Sequence, residues 1–150
     1  MKVAVGSDHA GRPAKLRAIE VLRELGCEVD DVGTHTDASC DYPDYAAEVA
    51  RRVAGRQADL GVLCCGTGLG MSITANKVPG IRATVCCSDF MAEMARRHND
   101  ANVLCLGSRV LDERMIGELV RRFVRTPFDG GRHTRRLRKI ADLERALPLP

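Results

Sequence analysis

The apolar positions of the chain alternate between short continuous runs and runs with helical spacing. Residues 2–6 form a short strand-like run that is apolar from Val3 onward, and residues 60–65 form a longer, continuous apolar run, typical of a strand that is buried on both faces. Between them, Leu16, Ile19 and Leu22 recur at helical spacing, and Gly26 follows as a common helix end. The chain is therefore predicted to begin with a strand and then a helix.

Three further strand-like segments extend this alternation. They predict a weaker strand at residues 27–32, a buried strand at residues 81–87 and a fifth strand at residues 103–106. Five strands that alternate with helices favour a parallel sheet with helices on both faces. We predict one α/β domain over residues 1–150. It is a three-layer α/β/α structure with a five-stranded, flavodoxin-like (Rossmann-like) sheet of order 2-1-3-4-5 and a C-terminal helix.

The ends of the helices are marked by residues with strong local preferences. Pro43 is predicted to begin the second helix and Gly55 to end it. Asp89 and Asp112 are each predicted to cap a later helix, because an aspartate side chain accepts hydrogen bonds from free N–H groups of the first turn. The apolar residues assigned to the last three helices are Phe90, Met91 and Met94, then Ile116, Leu119, Val120 and Phe123, then Leu137, Ile140, Ala141 and Leu147.

The predicted sheet indicates where a ligand would bind. In parallel sheets, ligands bind beyond the carboxyl ends of the strands, at the point where the strand order reverses. For the predicted order, this point lies between the first and third strands. The loops that meet there are residues 6–9, with Asp8 and His9, and the glycine loop, residues 66–70, which follows Cys65 and opens a helix to Lys77.

The glycine loop suits an anion, because its backbone N–H groups and the next helix both present positive charge. It does not match a dinucleotide fingerprint, which would need glycine at Met71, nor a P-loop, because no Lys-Ser/Thr pair follows. A cysteine phosphatase would need an arginine at Met71. An ionisable thiol, Cys65, remains beside the loop, with the hydroxyl of Thr67 close to it.

Two interpretations of Cys65 stay open on these residues alone. A thiol at a helix N-terminus is stabilised as thiolate and can act as a base or nucleophile. Free cysteine is also among the most buried residue types, which favours a core position. Asp8 and His9 favour the site, because a carboxylate and an imidazole are costly to bury without partners. For the Asp-His pair alone, a capped turn is the plainer interpretation.

A second set of polar residues lies late in the chain. His98 and Asn99 end the fourth helix and are predicted to lie at the opposite end of the sheet from Cys65. They are either a polar helix terminus or part of a site in a second copy of the chain. Arg132 and Arg136 are four residues apart and share a helical face, as two ligands of one phosphate require, although a solvated basic helix has the same pattern. Arg109 follows the fifth strand.

The composition of the chain excludes several classes of protein. Apolar residues make up 45% and charged residues 29% of the chain, which excludes general disorder. The net charge of +3 is too small for a nucleic-acid footprint, and no apolar run is long enough for a membrane. Seven cysteines without a signal-peptide core predict reduced thiols and a cytoplasmic location. No zinc-type spacing occurs, so we expect no metal and no cofactor.

Ordered motifs along nearly the whole chain resemble the ribose-5-phosphate isomerase B family, which also includes the galactose-6-phosphate isomerase subunits. That resemblance implies a dimer of flavodoxin-like subunits that interconverts aldose and ketose phosphates without a metal. Family members use as base either a cysteine before the glycine loop or a glutamate at the position of Met71, so this chain resembles the cysteine branch. The matching motifs are GSDHAG at 6–11, DYP at 41–43, CGTGLG at 65–70, ANK at 75–77, GIRA at 80–83, HND at 98–100, GSR at 107–109 and GGRH at 130–133.

The resemblance also implies a role for each candidate residue. Cys65 would move the proton between C1 and C2, and Asp8 and His98 would open the sugar ring. Thr67 and the loop N–H groups would stabilise the enediolate. The substrate-binding residues would be Asp8, His9, Tyr42, Gly66, Thr67, Gly68, Leu69, Gly70, Asn99, Arg109, Arg132 and Arg136, with His9 and the three arginines around the phosphate.

The partners implied are a small sugar phosphate and a second copy of the chain that shares the site, with a tetramer left open and no nucleic acid or membrane. The expected substrate is ribose 5-phosphate, and a hexose 6-phosphate is the alternative. Two other classes stay open. A thiol redox protein would use Cys64 and Cys65 or the other vicinal pair, although neither has the C-x-x-C spacing. A noncatalytic sugar-phosphate or nucleic-acid binding module would not need the thiol.

Overall fold

The structure, a computed structural model, describes residues 1–146. Five strands alternate with five helices, and a sixth helix follows. None of the helices in these residues has the length and apolar character of a membrane span. Leu147, assigned above to the last helix, lies outside the described residues. The elements are β1 (Lys2–Ser7), α1 (Arg12–Glu24), β2 (Glu28–Gly33), α2 (Tyr42–Ala54), β3 (Leu60–Cys65), α3 (Leu69–Ala75), β4 (Ala83–Val85), α4 (Asp89–Asn99), β5 (Val103–Gly107), α5 (Glu113–Arg125) and α6 (Arg132–Ala146).

The five strands form one parallel sheet, as predicted, but the predicted strand order was wrong. The observed order is β2-β1-β3-β5-β4. β5 is buried at all five residues and pairs with both β3 and β4. β4 has only three residues, of which Thr84 and Val85 are half-buried, so the prediction of a long buried strand at 81–87 was also wrong. A strand with neighbours on both sides needs the more apolar sequence. β5 therefore lies inside the sheet, and β4 lies at its edge.

The sheet separates two hydrophobic clusters. One lies under α1, α4 and α5 and includes Leu22 and Phe123, and the other lies under α2 and α3 and includes Val49 and Met71. Because successive side chains of a strand point to opposite faces, Cys64 joins the first cluster and its neighbour joins the second. β1 pairs directly with β3, so the point where the order reverses lies between them, as predicted.

The helix ends agree with the sequence in two cases out of three. α2 starts at the residue before Pro43 and is followed by Gly55. Asp112 caps α5, because the Met115 N–H donates to Asp112 Oδ1 at 2.7 Å. Asp89 is not a cap: the Ser88 hydroxyl oxygen accepts the first-turn hydrogen bond of α4, and Asp89 lies inside the helix. Serine is an equally good cap.

Several apolar side chains assigned to helix faces are exposed. Leu16 of α1 is 43% exposed. On α4 only the alanines at 92 and 95 are buried, and Phe90 is 70% exposed. On α3, Leu69 and Ile73 are exposed as well. Leu69, Ile73 and Phe90, on the helices beside β4, therefore leave an apolar surface that residues 1–146 do not cover.

Candidate active site

The thiol of Cys65 lies at the carboxyl end of β3, directly below the glycine loop. The Gly68 N–H donates a hydrogen bond to Cys65 Sγ at 3.1 Å. This contact needs a left-handed backbone at Gly68, where φ is 81°, and a side chain there would come within 3.2 Å of the Leu106 backbone. Glycine is thus required for the loop to turn its N–H group back onto the sulfur. A donor in this position stabilises negative charge on a thiolate.

The two adjacent cysteines differ in environment. Cys64 is fully buried on the α1 side of the sheet, and this burial raises the pKa of its thiol well above the usual range. Cys65 points to the other side, is 5% exposed and has the Gly68 donor. The side chains of Cys64 and Cys65 thus point to opposite faces of the sheet, and Cys65 is the thiol of this pair that faces the candidate site.

Tyr42 and Arg109 flank the glycine loop. A Cβ atom at Gly70 would lie 2.6 Å from the Tyr42 ring, so the ring lies directly against the loop backbone. A Cβ atom at Gly66 would lie 3.4 Å from Arg109 Nε. The Arg109 N–H donates to the Gly66 carbonyl at 3.0 Å, which holds the arginine beside the loop. Arg109 thus follows β5, as predicted, and lies beside the loop. The binding roles that the resemblance implies for Tyr42 and Arg109 stay predictions.

Thr67 forms the exposed tip of the same loop. Its backbone lies on Gly107, where a side chain would come within 2.8 Å of Thr67 backbone atoms. The Leu69 N–H donates to Thr67 Oγ1 at a long 3.4 Å. The hydroxyl therefore stays at the surface, above the thiol.

Asp8 and His9 extend the site from the end of β1. The Gly11 N–H donates to Asp8 Oδ1 at 2.7 Å, so one carboxylate oxygen closes the turn before α1, in agreement with the capped turn of the plainer interpretation. The Cys40 N–H donates to His9 Nδ1 at 3.2 Å. A neutral imidazole that accepts at Nδ1 carries its proton on Nε2. We call Cys65, the glycine loop, Asp8, His9, Tyr42 and Arg109 the thiol cluster.

The remaining candidates form a second group, which the structure does not bring to Cys65. α4 ends at Asn99, and the Asn102 carbonyl just beyond it accepts from the N–H of Gly61, at the start of β3. Cys65 lies at the other end of that strand, about 13 Å further along. His98 and Asn99 thus lie at the opposite end of the sheet, as predicted.

His98 stacks on His133, a residue that the sequence presented only as part of a motif. The ring centroids are 4.2 Å apart and the planes differ by 9°. His133 is 5% exposed, and its burial, together with the charges of His98, Arg132 and Arg136, lowers its pKa. We call His98, Asn99, Asp129, Arg132, His133 and Arg136 the histidine cluster.

The histidine cluster corrects one expectation about metals. Potential ligand atoms of His98, Asp129 and His133 all lie within 4.8 Å of one another, so a compact set of metal-ligand types exists after all. Its geometry does not fit an ion, because two parallel stacked rings direct their lone pairs in parallel rather than toward one point. Asp129 is also paired with Arg97, whose Nε lies 3.1 Å from both carboxylate oxygens.

Comparison with known proteins assigns the chain to a family. The family model described as Ribose/Galactose Isomerase matches residues 3–140. The chain belongs to this family. It is 45% identical to ribose-5-phosphate isomerase B of Escherichia coli (strain K12) over 143 residues, which are 95% of this chain and 96% of that protein.

Solved structures of ribose/galactose isomerases have the same fold. Ribose-5-phosphate isomerase B of Clostridium thermocellum superimposes with a TM-score of 0.95 at 48% identity, over 97% of this chain and 98% of that one. The enzyme of Mycoplasma genitalium, solved with bound ribulose-5-phosphate, gives a TM-score of 0.92 at 40% identity and 97% coverage of both chains. The family resemblance seen in the motifs is therefore confirmed, as is the α/β fold.

Proposed function

We propose that Cys65 is the base with which this chain, an aldose–ketose isomerase, interconverts ribose 5-phosphate and ribulose 5-phosphate. The reaction follows from the relatives described above. The observation that carries the assignment of the base is the hydrogen bond from the Gly68 N–H to Cys65 Sγ at the mouth of the glycine loop. Met71, fully buried at the position where other members carry a glutamate, offers no alternative base.

The chemistry requires one proton to move between two carbons. In the open-chain aldose, the Cys65 thiolate removes the proton from C2 and an enediolate forms. The thiol then returns the proton to C1, while the C2 hydroxyl proton is lost and O1 gains one, which gives the ketose. Thr67 Oγ1 and the loop N–H groups stabilise the developing oxyanion, and each such donor is worth about 3 kcal/mol in comparable enzymes.

Ring opening must come first, because ribose 5-phosphate is mainly cyclic. We assign this step to Asp8 and to His98 of the partner subunit, with His98 exchanging a proton with the ring oxygen or the hydroxyl. The separation of the two clusters by the length of β3 supports a site shared between two chains. Asn99 would contact the sugar, and Tyr42 would line the pocket.

The phosphate is assigned to four cationic or polar side chains from both clusters. Arg109 lies beside the glycine loop, His9 follows β1, and Arg132 and Arg136 lie close enough to His133 to lower its pKa. Arginine suits this task, since its planar guanidinium binds phosphate oxygens in pairs. The reaction as proposed uses neither a metal nor another cofactor, and exhaustive chelation is expected to leave the rate unchanged.

The exposed apolar surface beside β4 supports a dimer. A groove of about 370 Å³ runs between α3 and α4 across this edge strand. Phe90 and Met91 line it, and Asn99 lies at its wall, so a second copy seated there would meet the histidine cluster directly. We propose a homodimer and leave open a tetramer of dimers. The seven free thiols support a cytoplasmic location.

The direct test is incubation with ribose 5-phosphate while ribulose 5-phosphate is measured. Solvent deuterium should enter at C1 of the ketose only in the presence of the protein. Parallel assays with hexose 6-phosphates test the alternative substrate class, and a higher kcat/KM for a hexose would overturn the pentose assignment. Absence of turnover on every sugar phosphate would favour a binding module instead.

A further inference from the structure

The helix that carries His98 ends in an unusual arrangement around Asp100. This residue has φ 42° and ψ 44°, a left-handed conformation that few residues other than glycine adopt. Its carboxylate is shared by two arginines: Arg82 Nη2 lies 3.0 Å from Oδ2, and Arg96 Nη1 lies 2.9 Å from Oδ1. A helix end usually needs no such support when glycine occupies this position.

Arg82 also binds the backbone next to His98. Its Nε donates to the Asn99 carbonyl at 2.9 Å, and its Nη2 donates to the Asp100 carbonyl at 2.7 Å. Both carbonyls belong to the last turn and cap of α4, where no further helical N–H is available to them. The guanidinium thus fixes the peptide groups that follow Asn99 and Asp100, immediately beyond the residue next to His98.

Arg96 holds the same turn from the other side. Its Nη1 donates to the Ala101 carbonyl at 2.5 Å as well as to Asp100, and its guanidinium lies 5.5 Å from the centroid of the Phe123 ring. Phe123 is fully buried in α5. Arg96 therefore connects the helix end to the rigid core, and Asp100 connects Arg96 to Arg82.

We propose that Asp100, Arg82 and Arg96 are positioning residues that set the direction in which His98 and Asn99 face the neighbouring subunit. This inference rests on the proposed role of His98 in ring opening. The three residues hold the backbone on which His98 is mounted, at the far end of β3 from Cys65. Their loss should therefore impair ring opening and leave proton transfer at C1 and C2 intact.

Ring opening and proton transfer can be measured separately, because ribulose 5-phosphate is an open-chain sugar. The hydroxyl that would close a five-membered ring, on C5, carries the phosphate. Exchange of its C1 proton with deuterated solvent needs Cys65 but no ring opening. Consumption of cyclic ribose 5-phosphate needs both steps. The ratio of the two rates therefore reports the positioning of His98.

The test uses Asp100→Asn, which keeps a side chain tolerant of the left-handed backbone but removes both ion pairs. We expect turnover of ribose 5-phosphate to fall at least about tenfold, since small misplacements of catalytic groups have effects of this size. Exchange at C1, measured at saturating ribulose 5-phosphate, should stay within about twofold, because the substitution leaves Cys65 and the glycine loop unchanged. Arg82→Lys, which keeps the charge but loses the paired contacts, should behave similarly.

Arg122→Gln is the matched control, because it breaks an ion pair with Asp89 at the other end of α4 and should leave both rates unchanged. If both rates fall together in Asp100→Asn and in Arg82→Lys, or if neither falls, the positioning role is wrong. The variant His98→Asn distinguishes failure of the positioning role from failure of the proposed role of His98 in ring opening. If His98→Asn lowers exchange as much as turnover, it is the assignment of His98 to ring opening that fails.

Discussion

The thiol cluster and the histidine cluster are built in different ways. The thiol cluster relies on the backbone: Cys65 ends β3 beside the glycine loop, the Gly68 N–H donates to its sulfur, and several contacts of the loop tolerate no side chain at all. The histidine cluster uses long side chains at the ends of α4 and α6, most of them exposed. On the proposed shared site, the base is held rigidly within its own chain, whereas the groups assigned to ring opening must reach another chain.

The largest expected effect is at the centre of the thiol cluster. Cys65→Ala should reduce isomerisation by a factor of about 10²–10⁴, the usual contribution of a positioned base, while binding of sugar phosphate persists. Cys64→Ala is the control and should keep most of the activity, because that side chain lies in the opposite hydrophobic cluster. Initial rates and C2-proton exchange measure both. Near-normal turnover in Cys65→Ala would remove the thiol from the mechanism.

Mixing variants of the two clusters tests whether they meet across a dimer. Cys65→Ala and His98→Asn each destroy one half of every site in their own homodimers. Random exchange of subunits should make about half of the dimers hybrids, and each hybrid has one intact site out of the two that the two-fold symmetry creates. Activity on ribose 5-phosphate should therefore return to about one quarter of the wild-type level. If labelled subunits demonstrably exchange and activity stays at the level of the parents, the shared site is refuted.

A smaller effect is expected for the phosphate contacts of the histidine cluster. A hydrogen bond to a charged group contributes about 1.5–3 kcal/mol, so Arg136→Ala should lower kcat/KM for ribose 5-phosphate by roughly 10- to 150-fold. Unphosphorylated ribose should show no such difference. Arg135→Ala and Arg138→Ala, on other faces of α6, are the controls. An equal loss from all three substitutions would indicate a general electrostatic role of the helix.

The smallest effect concerns the pH dependence of stability. Because burial lowers the pKa of His133 in the folded chain, the unfolded chain takes up this proton first as the pH falls. The contribution of neutral His133 to the stability of the fold is therefore fully present above the ordinary imidazole pKa of about 6.5. It is lost as the pH falls toward the lower pKa that His133 has in the folded chain. His133→Gln should flatten the decrease of Tm between pH 7 and pH 5. The same slope in both proteins would contradict the assignment.

The two clusters also differ in how far the sequence predicted them. Most of the thiol cluster was predictable because its members, apart from Tyr42 at the start of α2, end or follow a strand or lie in the glycine loop, and the carboxyl ends of parallel strands meet at one edge. The stack of His133 on His98 was not, since it depends on how α6 packs on α4. The predicted order of the last two strands was wrong for a similar reason. Local apolar patterns predict that β4 and β5 exist, and only their relative burial decides which one is central.

The length of β3 has a consequence for regulation by abundance. No change of rotamer or loop can carry His98 across that strand to the thiol of its own chain, so on the proposed arrangement a lone subunit can be fully folded and still inactive on the cyclic sugar. Specific activity should then fall on dilution before any loss of secondary structure. Newly made chains would become active only when they form dimers. Total activity would therefore rise more steeply than the concentration of the protein.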